Sequence, residues 1–334
     1  MEALPTAPSS APTPAPTPAP TPAAAPAPHP PAPTHLVLSG GGLSGLAYIG
    51  VLRYLATERA DVNIRHVSGT SMGAFFATAF ALRVPSDELE ATGYKIFRDT
   101  EYTHYPPTAL LGLLQTYGMD DGARFRRPLE RYGGADINFR DLAKRFGRHL
   151  VICATCLDTM KPVYFSSETT PDVPVLTAMI ASMAIPFLIQ PVRIGDRHYI
   201  DGAFTDNVPY APFLRNGRPR SVTDTLLICD IRNIPAVAQP IRYPCGHVLE
   251  FIQLILNIVQ KNYTPADPHA HISLSAPVLI MAECPLPLLR FYCDESGVYF
   301  NVPIHDIDAS VVYGFRVTQS WFNGLRKQPE PSKP

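Results

Sequence analysis

A serine set between two glycines, in Gly69-Thr70-Ser71-Met72-Gly73, is the pattern in this chain best suited to covalent chemistry. The G-x-S-x-G pattern is typical of a nucleophile elbow, a sharp strand-to-helix turn that lifts a serine oxygen above a sheet. Gly69 and Gly73 leave room for that turn because they carry no side chain. The preceding letters IRHVS predict a strand, and the Ala-rich run that follows predicts a helix. We therefore expect Ser71 to be a nucleophile.

A second glycine-rich turn, Gly40-Gly41-Gly42-Leu43-Ser44-Gly45, follows HLVLS and opens another helical pattern. Its letters satisfy G-x-G-x-x-G, the fingerprint of a dinucleotide-binding turn. Dinucleotide binding requires an acidic residue at the end of the next strand, but that strand ends in Ser68-Gly69-Thr70-Ser71. The backbone amides of Gly40 to Leu43 instead favour stabilisation of a developing oxyanion. A tight turn with nothing bound is the other interpretation.

A serine nucleophile also needs a base. The best candidate is Asp201, in Tyr199-Ile200-Asp201-Gly202-Ala203, where a predicted strand ends. Because Asp-Gly is also a common hairpin turn, a structural role stays open from these residues alone. A Ser/His/Asp triad is a second possibility, since the chain order of α/β-hydrolases places the histidine after the acid. The histidines that follow Asp201 in that order are His247, His269, His271 and His305.

Short apolar runs alternate with helical patterns from residue 35 onward, which predicts an α/β fold with a mostly parallel sheet covered by helices. Strands are predicted at His35–Ser39, Ile64–Ser68, 149–157, 191–194, 197–200 and 225–230, and helices at Leu43–Thr57, Met72–Leu82, 175–184, 246–262 and 307–325. Another helix is predicted from Ser86, with Asp87 and Glu90 as a capping box. Residues 99–122 show little periodicity, so we expect an irregular segment there.

The last predicted helix, 307–325, has apolar residues at positions that a helix would bring inward. They are Val311, Val312, Phe315 and Trp321. We expect all four side chains to pack against the core.

Together these residues resemble the patatin-like phospholipase family. The resemblance rests on GGGLSG, on GTSMG and on the block ASMAIPFLIQPVRIGDRHYIDGAFTDNVPY, in which Asp201-Gly202-Ala203 takes the family's D-G-[GA] position; it spans roughly residues 35 to 230. It implies a three-layer, modified α/β-hydrolase fold with a mostly parallel central sheet. It also implies lipid acyl hydrolysis by Ser71 and Asp201, with the amides of Gly40 to Leu43 as the oxyanion hole, and with no catalytic histidine, metal or cofactor.

One position departs from the family motif G-G-G-x-[RK]-G, because this chain has Ser44 where the family usually has Arg or Lys. The substitution weakens the case for an anionic headgroup at that turn. It leaves a phospholipid, a triacylglycerol or other neutral glyceride, or a short ester open as the substrate. A non-catalytic lipid-binding protein of the same fold is the alternative from another functional class, and the presence of both Ser71 and Asp201 argues against it.

Composition sets the remaining expectations. The chain of 334 residues has 28 Lys plus Arg against 29 Asp plus Glu, so its net charge of −1 creates no field that would attract nucleic acid. Of its 37 prolines, 13 precede residue 34. That density predicts an extended, disordered tail at 1–34 whose partner is unknown. The family resemblance implies a patatin-like catalytic domain at 35–325, and we expect a disordered end at 326–334.

The sequence has no secretory signal pattern and no apolar run of about 18 residues. We therefore expect a cytoplasmic protein that meets its lipid substrate peripherally, at a membrane or droplet surface. Residues 124–148 carry eight Arg and Lys against three acidic residues. This excess could bind anionic headgroups, or it could simply be a solvated helix face.

The six cysteines are too sparse for a disulfide scaffold, so we expect thiols. Cys153 and Cys156 form a C-x-x-C, but they lie in the strand-like HLVICATC. A separation of three residues on a strand places the two sulfurs on opposite faces, which argues against a metal or redox pair.

Overall fold

An eight-stranded sheet forms the centre of the computed structural model, which describes residues 32–215, 218–221, 225–231, 278–281, 292–295, 297–300 and 302–325. The sheet is mixed and mostly parallel, with helices on both sides, so the predicted α/β fold class is confirmed. The strands in chain order are β1 (His35–Leu38), β2 (His66–Thr70), β3 (His104–Tyr105), β4 (Gly118–Asp120), β5 (His149–Cys156), β6 (Lys161–Ser166), β7 (Phe187–Ile189), β8 (Val192–Ile194), β9 (Arg197–Asp201), β10 (Leu214–Arg215), β11 (Arg218–Pro219), β12 (Leu226–Asp230), β13 (Val278–Ile280), β14 (Tyr292–Asp294) and β15 (Gly297–Tyr299).

The α-helices are α1 (Ala47–Thr57), α2 (Met72–Ala81), α3 (Ser86–Arg98), α4 (Thr100–Thr103), α5 (Ala109–Gln115), α6 (Ala123–Gly133), α7 (Phe139–Phe146), α8 (Val175–Met183) and α9 (Ile304–Leu325). Short 3-10 helices occupy Gly42–Leu46, Gly202–Phe204 and Ala211–Phe213. The first of these runs directly into α1, so the two form one continuous helical stretch after β1.

The strand order in the central sheet is β13-β12-β1-β2-β5-β9-β8, with β6 also paired to β5. The first five strands of this order run parallel, whereas β9 runs antiparallel to β5. The register places Thr70 opposite Cys153 and Asp201 opposite Ala154, one residue further along β5. The antiparallel return therefore brings the end of β9 level with the residue that follows β2.

The core lies mainly on one face of the sheet, where α1, α2 and α8 pack. Successive strand residues point to opposite faces, so Leu36 and Leu38 face this core while Val37 faces the other way. Val37 joins a smaller cluster with Val208 and Phe213 from the loop after β9. That loop is thereby packed against the sheet, which matters because it follows the candidate base.

The predicted strands and helices within the described ranges are present, with shifted boundaries in places. The second strand begins at His66 rather than Ile64, and the final helix begins at Ile304. The predicted helix at 246–262 and most of the two predicted disordered ends, 1–31 and 326–334, lie outside the described residues.

Three local expectations are wrong. Asp87 and Glu90 form no capping box: α3 begins after Pro85 without a side-chain cap, and Glu90 instead pairs with Arg53 at 3.0 Å. Residues 99–122 are not irregular, because they contain α4, β3, α5 and β4. Val312 does not pack inward but is 40% exposed, whereas its neighbour Val311 is buried.

Three cysteine side chains lie in the part of the chain that the structure describes. Cys153, Cys156 and Cys229 are free and buried. Burial raises the pKa of the Cys153 and Cys229 thiols, which keeps them protonated at neutral pH. Among the helices that the structure describes, none has the length and apolar character needed to cross a membrane.

Candidate active site

Ser71 sits at the turn from β2 into α2, as the G-x-S-x-G pattern predicts. Its backbone has φ 53° and ψ −125°, a conformation that non-glycine residues rarely adopt. The turn is tight because a Cβ on Gly69 would overlap the carbonyl of Gly73, and a Cβ on Gly73 would overlap the carbonyl of Leu38. The sharp turn therefore depends on both glycines.

The Ser71 hydroxyl donates a hydrogen bond to Asp201, with 2.6 Å between Oγ and Oδ2. The other carboxylate oxygen, Oδ1, accepts from the backbone amide of Ala203 at 2.8 Å. Asp201 is only 1% exposed. The structure thus brings together a serine and a buried carboxylate that lie 130 residues apart in sequence.

The backbone around Asp201 is fixed on both sides. Its amide donates to the carbonyl of Ala184, just after α8, at 2.9 Å. Its carbonyl accepts from the hydroxyl of Thr155 on β5 at 2.9 Å. Gly202 and Ala203 then form a short 3-10 turn. The position of the carboxylate is therefore set by β5, α8 and the turn together.

Burial raises the pKa of Asp201 from 3.8 to about 6. The bonds donated by Ser71 and Ala203 oppose this rise, because they stabilise the ionised form. A carboxylate with a pKa near 6 is still ionised at neutral pH, yet it is a stronger base than an ordinary aspartate. It is therefore suited to accept a proton from the serine hydroxyl.

Ser182 on α8 binds the backbone of the elbow, and no sequence pattern predicts this role. Its hydroxyl accepts the backbone amide of Ser71 at 2.8 Å and donates to the carbonyl of Cys153 at 2.5 Å. Ser182 is fully buried. It therefore ties the strained serine backbone to β5, and it pairs the Ser71 amide, which would otherwise lack a partner.

Replacing Ser182 by alanine is expected to lower the free energy of unfolding by about 1–3 kcal/mol, because the Ser71 amide and the Cys153 carbonyl would each lose a buried partner. Denaturant unfolding measures this change. The matched control is Ser310→Ala, since Ser310 is also fully buried but its hydroxyl has no partner in the part of the chain described. Equal losses for the two variants would contradict the role given to Ser182.

The glycine-rich turn lies against the serine. An added Cβ on Gly40 would lie 3.2 Å from the Ser71 Cβ. Gly45, within the 3-10 helix, packs against the Met72 side chain. The amides of Gly41, Gly42 and Leu43 begin this helix, where backbone N–H groups have no partner within the helix itself.

Asn207 clamps this turn to the loop after β9. The Gly40 amide donates to the Asn207 carbonyl at 3.1 Å, and the Asn207 side-chain amide donates back to the Gly40 carbonyl at 3.3 Å. The amide of Gly40 is thus already engaged. No motif in the sequence points to Asn207, although it lies in the block that carries the family resemblance.

A second buried carboxylate, Asp206, steadies the same loop. It accepts from the Tyr164 hydroxyl at 2.6 Å and from the Val208 amide at 3.1 Å. Burial raises the pKa of Asp206 as well. Because its carboxylate bonds to Tyr164 and not to Ser71, Asp206 supports the loop rather than replacing Asp201.

Of the four histidines considered for a triad, His305 is the one inside the described ranges; His247, His269 and His271 fall outside them. His305 is 79% exposed at the start of α9 and lies 3.3 Å from the Asp306 carboxylate. The Ser71 hydroxyl instead donates its hydrogen bond to Asp201.

The basic segment 124–148 is largely neutralised by neighbouring carboxylates. The ion pairs are Arg124–Asp120, Arg126–Glu130, Arg127–Glu101, Arg131–Glu88 and Arg140–Asp172. Arg148 packs on the ring of Phe80, and burial lowers its pKa to about 10. These contacts favour a structural role for most of the segment over a headgroup-binding patch.

Within the ranges described, no group of three or more His, Cys, Asp or Glu side chains is placed to hold a metal ion.

Several known proteins are similar to this chain in sequence. A family model described as patatin-like phospholipase matches residues 36–214. Triacylglycerol lipase ptl3 of Schizosaccharomyces pombe is 25% identical over 204 residues, covering 53% of this chain and 41% of that protein. The cGAMP-activated phospholipase of Escherichia coli (strain TW11681) is 27% identical over 192 residues, covering 52% of each. The chain spans about half the length of these two curated relatives.

Among solved structures, VipD from Legionella pneumophila is similar, with a TM-score of 0.52 and 15% sequence identity. The match covers 89% of this chain and 68% of that chain. This likeness concerns the fold.

Proposed function

Because the chain belongs to the patatin-like phospholipase family, we propose that it is a lipid acyl hydrolase that cleaves fatty-acyl esters with Ser71 as nucleophile and Asp201 as base. The observation that carries this proposal is the 2.6 Å hydrogen bond from the serine hydroxyl to a buried carboxylate. A base must lie within hydrogen-bond reach of the proton that it removes, and Asp201 does so.

In the first half of the reaction, the Ser71 oxygen attacks the ester carbonyl carbon while its proton passes to Asp201. The tetrahedral intermediate then collapses and expels the alcohol, which takes the proton from Asp201. An acyl-serine remains. In the second half, water gives a proton to Asp201 and attacks the acyl-serine. The fatty acid leaves, and the proton returns to Ser71.

The negative charge of the tetrahedral intermediate needs donors that are already in place. Of the four amides expected from the sequence, that of Gly40 already donates to Asn207. The proposed oxyanion hole therefore consists of the amides of Gly41, Gly42 and Leu43. Gly40 has no side chain, and this allows the turn to lie close to Ser71. The N-terminal end of the adjoining helical stretch carries a partial positive charge, which also favours the negative charge of the intermediate.

The proposed substrate class is a fatty-acyl ester presented by lipid, and two relatives are named for different lipids of that class, triacylglycerol and phospholipid. Ser44 is buried within the turn and brings no positive charge to it. This supports a substrate that is recognised at its acyl chain and ester rather than at an anionic headgroup. We propose a cytoplasmic protein with peripheral lipid contact.

Labelling with a fluorophosphonate tests the nucleophile without assuming a substrate. We expect the full chain to gain one covalent label, located on the peptide that contains Ser71, and to lose ester hydrolysis in step with labelling. Fatty-acid release from phosphatidylcholine and from triacylglycerol, measured side by side, then separates the two lipid classes. A protein that neither reacts with the probe nor releases fatty acid would be the non-catalytic lipid-binding alternative.

A further inference from the structure

Residues 106–119, which we call the α5 segment, carry no charged side chain and include four leucines. Helix α5 lies within this segment, and none of its residues is fully buried. A helix that is apolar on every face is normally enclosed by a protein core or by a membrane. Helix α5 is not enclosed, and its exposed side carries Leu111 and Leu114 beside one polar residue, Gln115.

The leucines of α5 fall on two faces. Leu110 and Leu113 are partly buried and pack against the core. Leu111 and Leu114, three residues apart and therefore on one face, are 61% and 85% exposed. Tyr117, just after the helix, is 68% exposed. The inner pair is enough to anchor the helix, so the outer side chains are not needed for the fold.

Two aromatic residues beside α5 have left-handed backbones. Tyr117 has φ 63° and Phe187 has φ 72°, which is unusual for bulky side chains. The Phe187 amide donates to the Tyr117 carbonyl at 3.3 Å, and β4 pairs in parallel with β7. Such strain persists only where the surroundings enforce it. The strand pairing therefore holds two exposed aromatic rings at the surface at a cost in backbone energy.

A short stretch of chain links this surface to the backbone of Asp201. Phe187 follows Ala184 by three residues, and the Ala184 carbonyl accepts the Asp201 amide at 2.9 Å. Three residues of extended chain span at most about 11 Å. The exposed Phe187 is therefore tied closely to the backbone that positions the base.

We propose that the α5 segment and Phe187 dock the chain onto a zwitterionic phospholipid surface, with Leu111 and Leu114 inserted among the acyl chains. The proposal rests on the proposed function, which requires the dyad to reach lipid. Leucine and aromatic side chains are typical of the buried face of interfacial helices. Arg124 and Arg127, which follow the segment in sequence, already pair with Asp120 and Glu101. Docking should therefore depend on apolar insertion rather than on anionic lipid.

Binding of the full chain to vesicles of ether-linked phosphatidylcholine tests this surface, because that lipid has no acyl ester to be hydrolysed. Replacing both leucines (Leu111→Gln with Leu114→Gln) is expected to weaken binding on the order of 100-fold, about 10-fold for each leucine withdrawn from lipid. Leu114→Gln alone should give about 10-fold. Thermal melting should match the wild type, since both side chains are already exposed.

The matched control replaces two exposed aliphatic side chains on another helix, Ile304→Gln with Val312→Gln on α9. It should bind vesicles like the wild type. Binding should also persist at high salt and without phosphatidylserine, because screening weakens only charge attraction. Equal losses for the two double variants, unchanged binding of the α5 variant, or a requirement for anionic lipid would overturn the proposal. So would loss of self-association, rather than of vesicle binding, in the α5 variant.

Hydrolysis of a soluble short ester by the wild-type chain is measured in parallel. Hydrolysis without vesicle binding would refute the docking surface and leave the proposed function standing. Vesicle binding without hydrolysis would support the docking surface and refute the proposed function.

Discussion

Replacing Ser71 by alanine is expected to lower the turnover of a soluble ester on the order of 10⁴-fold or more, because the acyl-serine can no longer form. The site should otherwise keep its shape, since Ser182 still accepts the backbone amide of residue 71. Turnover with a chromogenic short-chain ester measures the effect, and the variant should also fail to react with a fluorophosphonate.

Ser310→Ala is the control for this variant, because it makes the same chemical change at a buried position on α9. It should keep wild-type turnover. If Ser71→Ala retains a substantial part of the activity, the nucleophile lies elsewhere and the dyad is excluded.

Replacing Asp201 by asparagine is expected to reduce turnover by about 10²- to 10⁴-fold, the usual contribution of a general base. The side chain keeps its volume but can no longer accept the serine proton. Asp206→Asn is the matched comparison, because Asp206 is a carboxylate of the same loop that bonds to Tyr164 and not to Ser71. It should reduce turnover far less. Comparable losses for the two variants would indicate that the loop, not the base, was damaged.

The pKa of Asp201 predicts how activity depends on pH. The base must be ionised, so kcat/KM of the wild type should rise as pH increases through about 6 and then level off. Asp201→Asn should lose this rise. Single changes of His247, His269, His271 or His305 to Gln should leave the profile in place, and a histidine change as damaging as Ser71→Ala would restore the triad.

The same pKa has a consequence for stability. A folded pKa of about 6 against an ordinary value of 3.8 means that the folded state disfavours the ionised form. Stability therefore falls as pH rises between these values, and at neutral pH the shift corresponds to about 3 kcal/mol. Asp201→Asn removes this penalty. At neutral pH its free energy of unfolding should be no lower than that of the wild type, even though its activity is lost.

Much of the site was predictable because its parts are local. The elbow at Ser71 and the turn at Gly40 are each a strand, a glycine turn and a helix in continuous sequence, so spacing alone indicates their geometry. The candidate base was identified for a different reason: Asp201 ends a predicted strand. That β9 runs antiparallel to β5, and so carries Asp201 back to the serine, depends on sheet pairing that local patterns do not encode.

The missed residues act through backbone contacts between distant segments. Ser182 accepts an amide 111 residues away, and Asn207 clamps a turn 167 residues away. Neither the type of these residues nor their spacing predicts such a contact. The capping box failed for a related reason, since Glu90 is engaged by Arg53 from another helix. Tertiary contacts determine the partners of these side chains, and a single sequence does not show those contacts.

The length of chain between Ser71 and Asp201 bears on the order in which the proposed dyad assembles. The elbow joins β2 to α2, which are neighbours in sequence, and such contacts form early in folding. The base arrives only after β9 has paired with β5, closing a loop of 130 residues. We therefore expect a refolding chain to regain its helices and its serine turn before Asp201 lies beside the serine. We therefore expect hydrolysis to return late in refolding, once the sheet is complete.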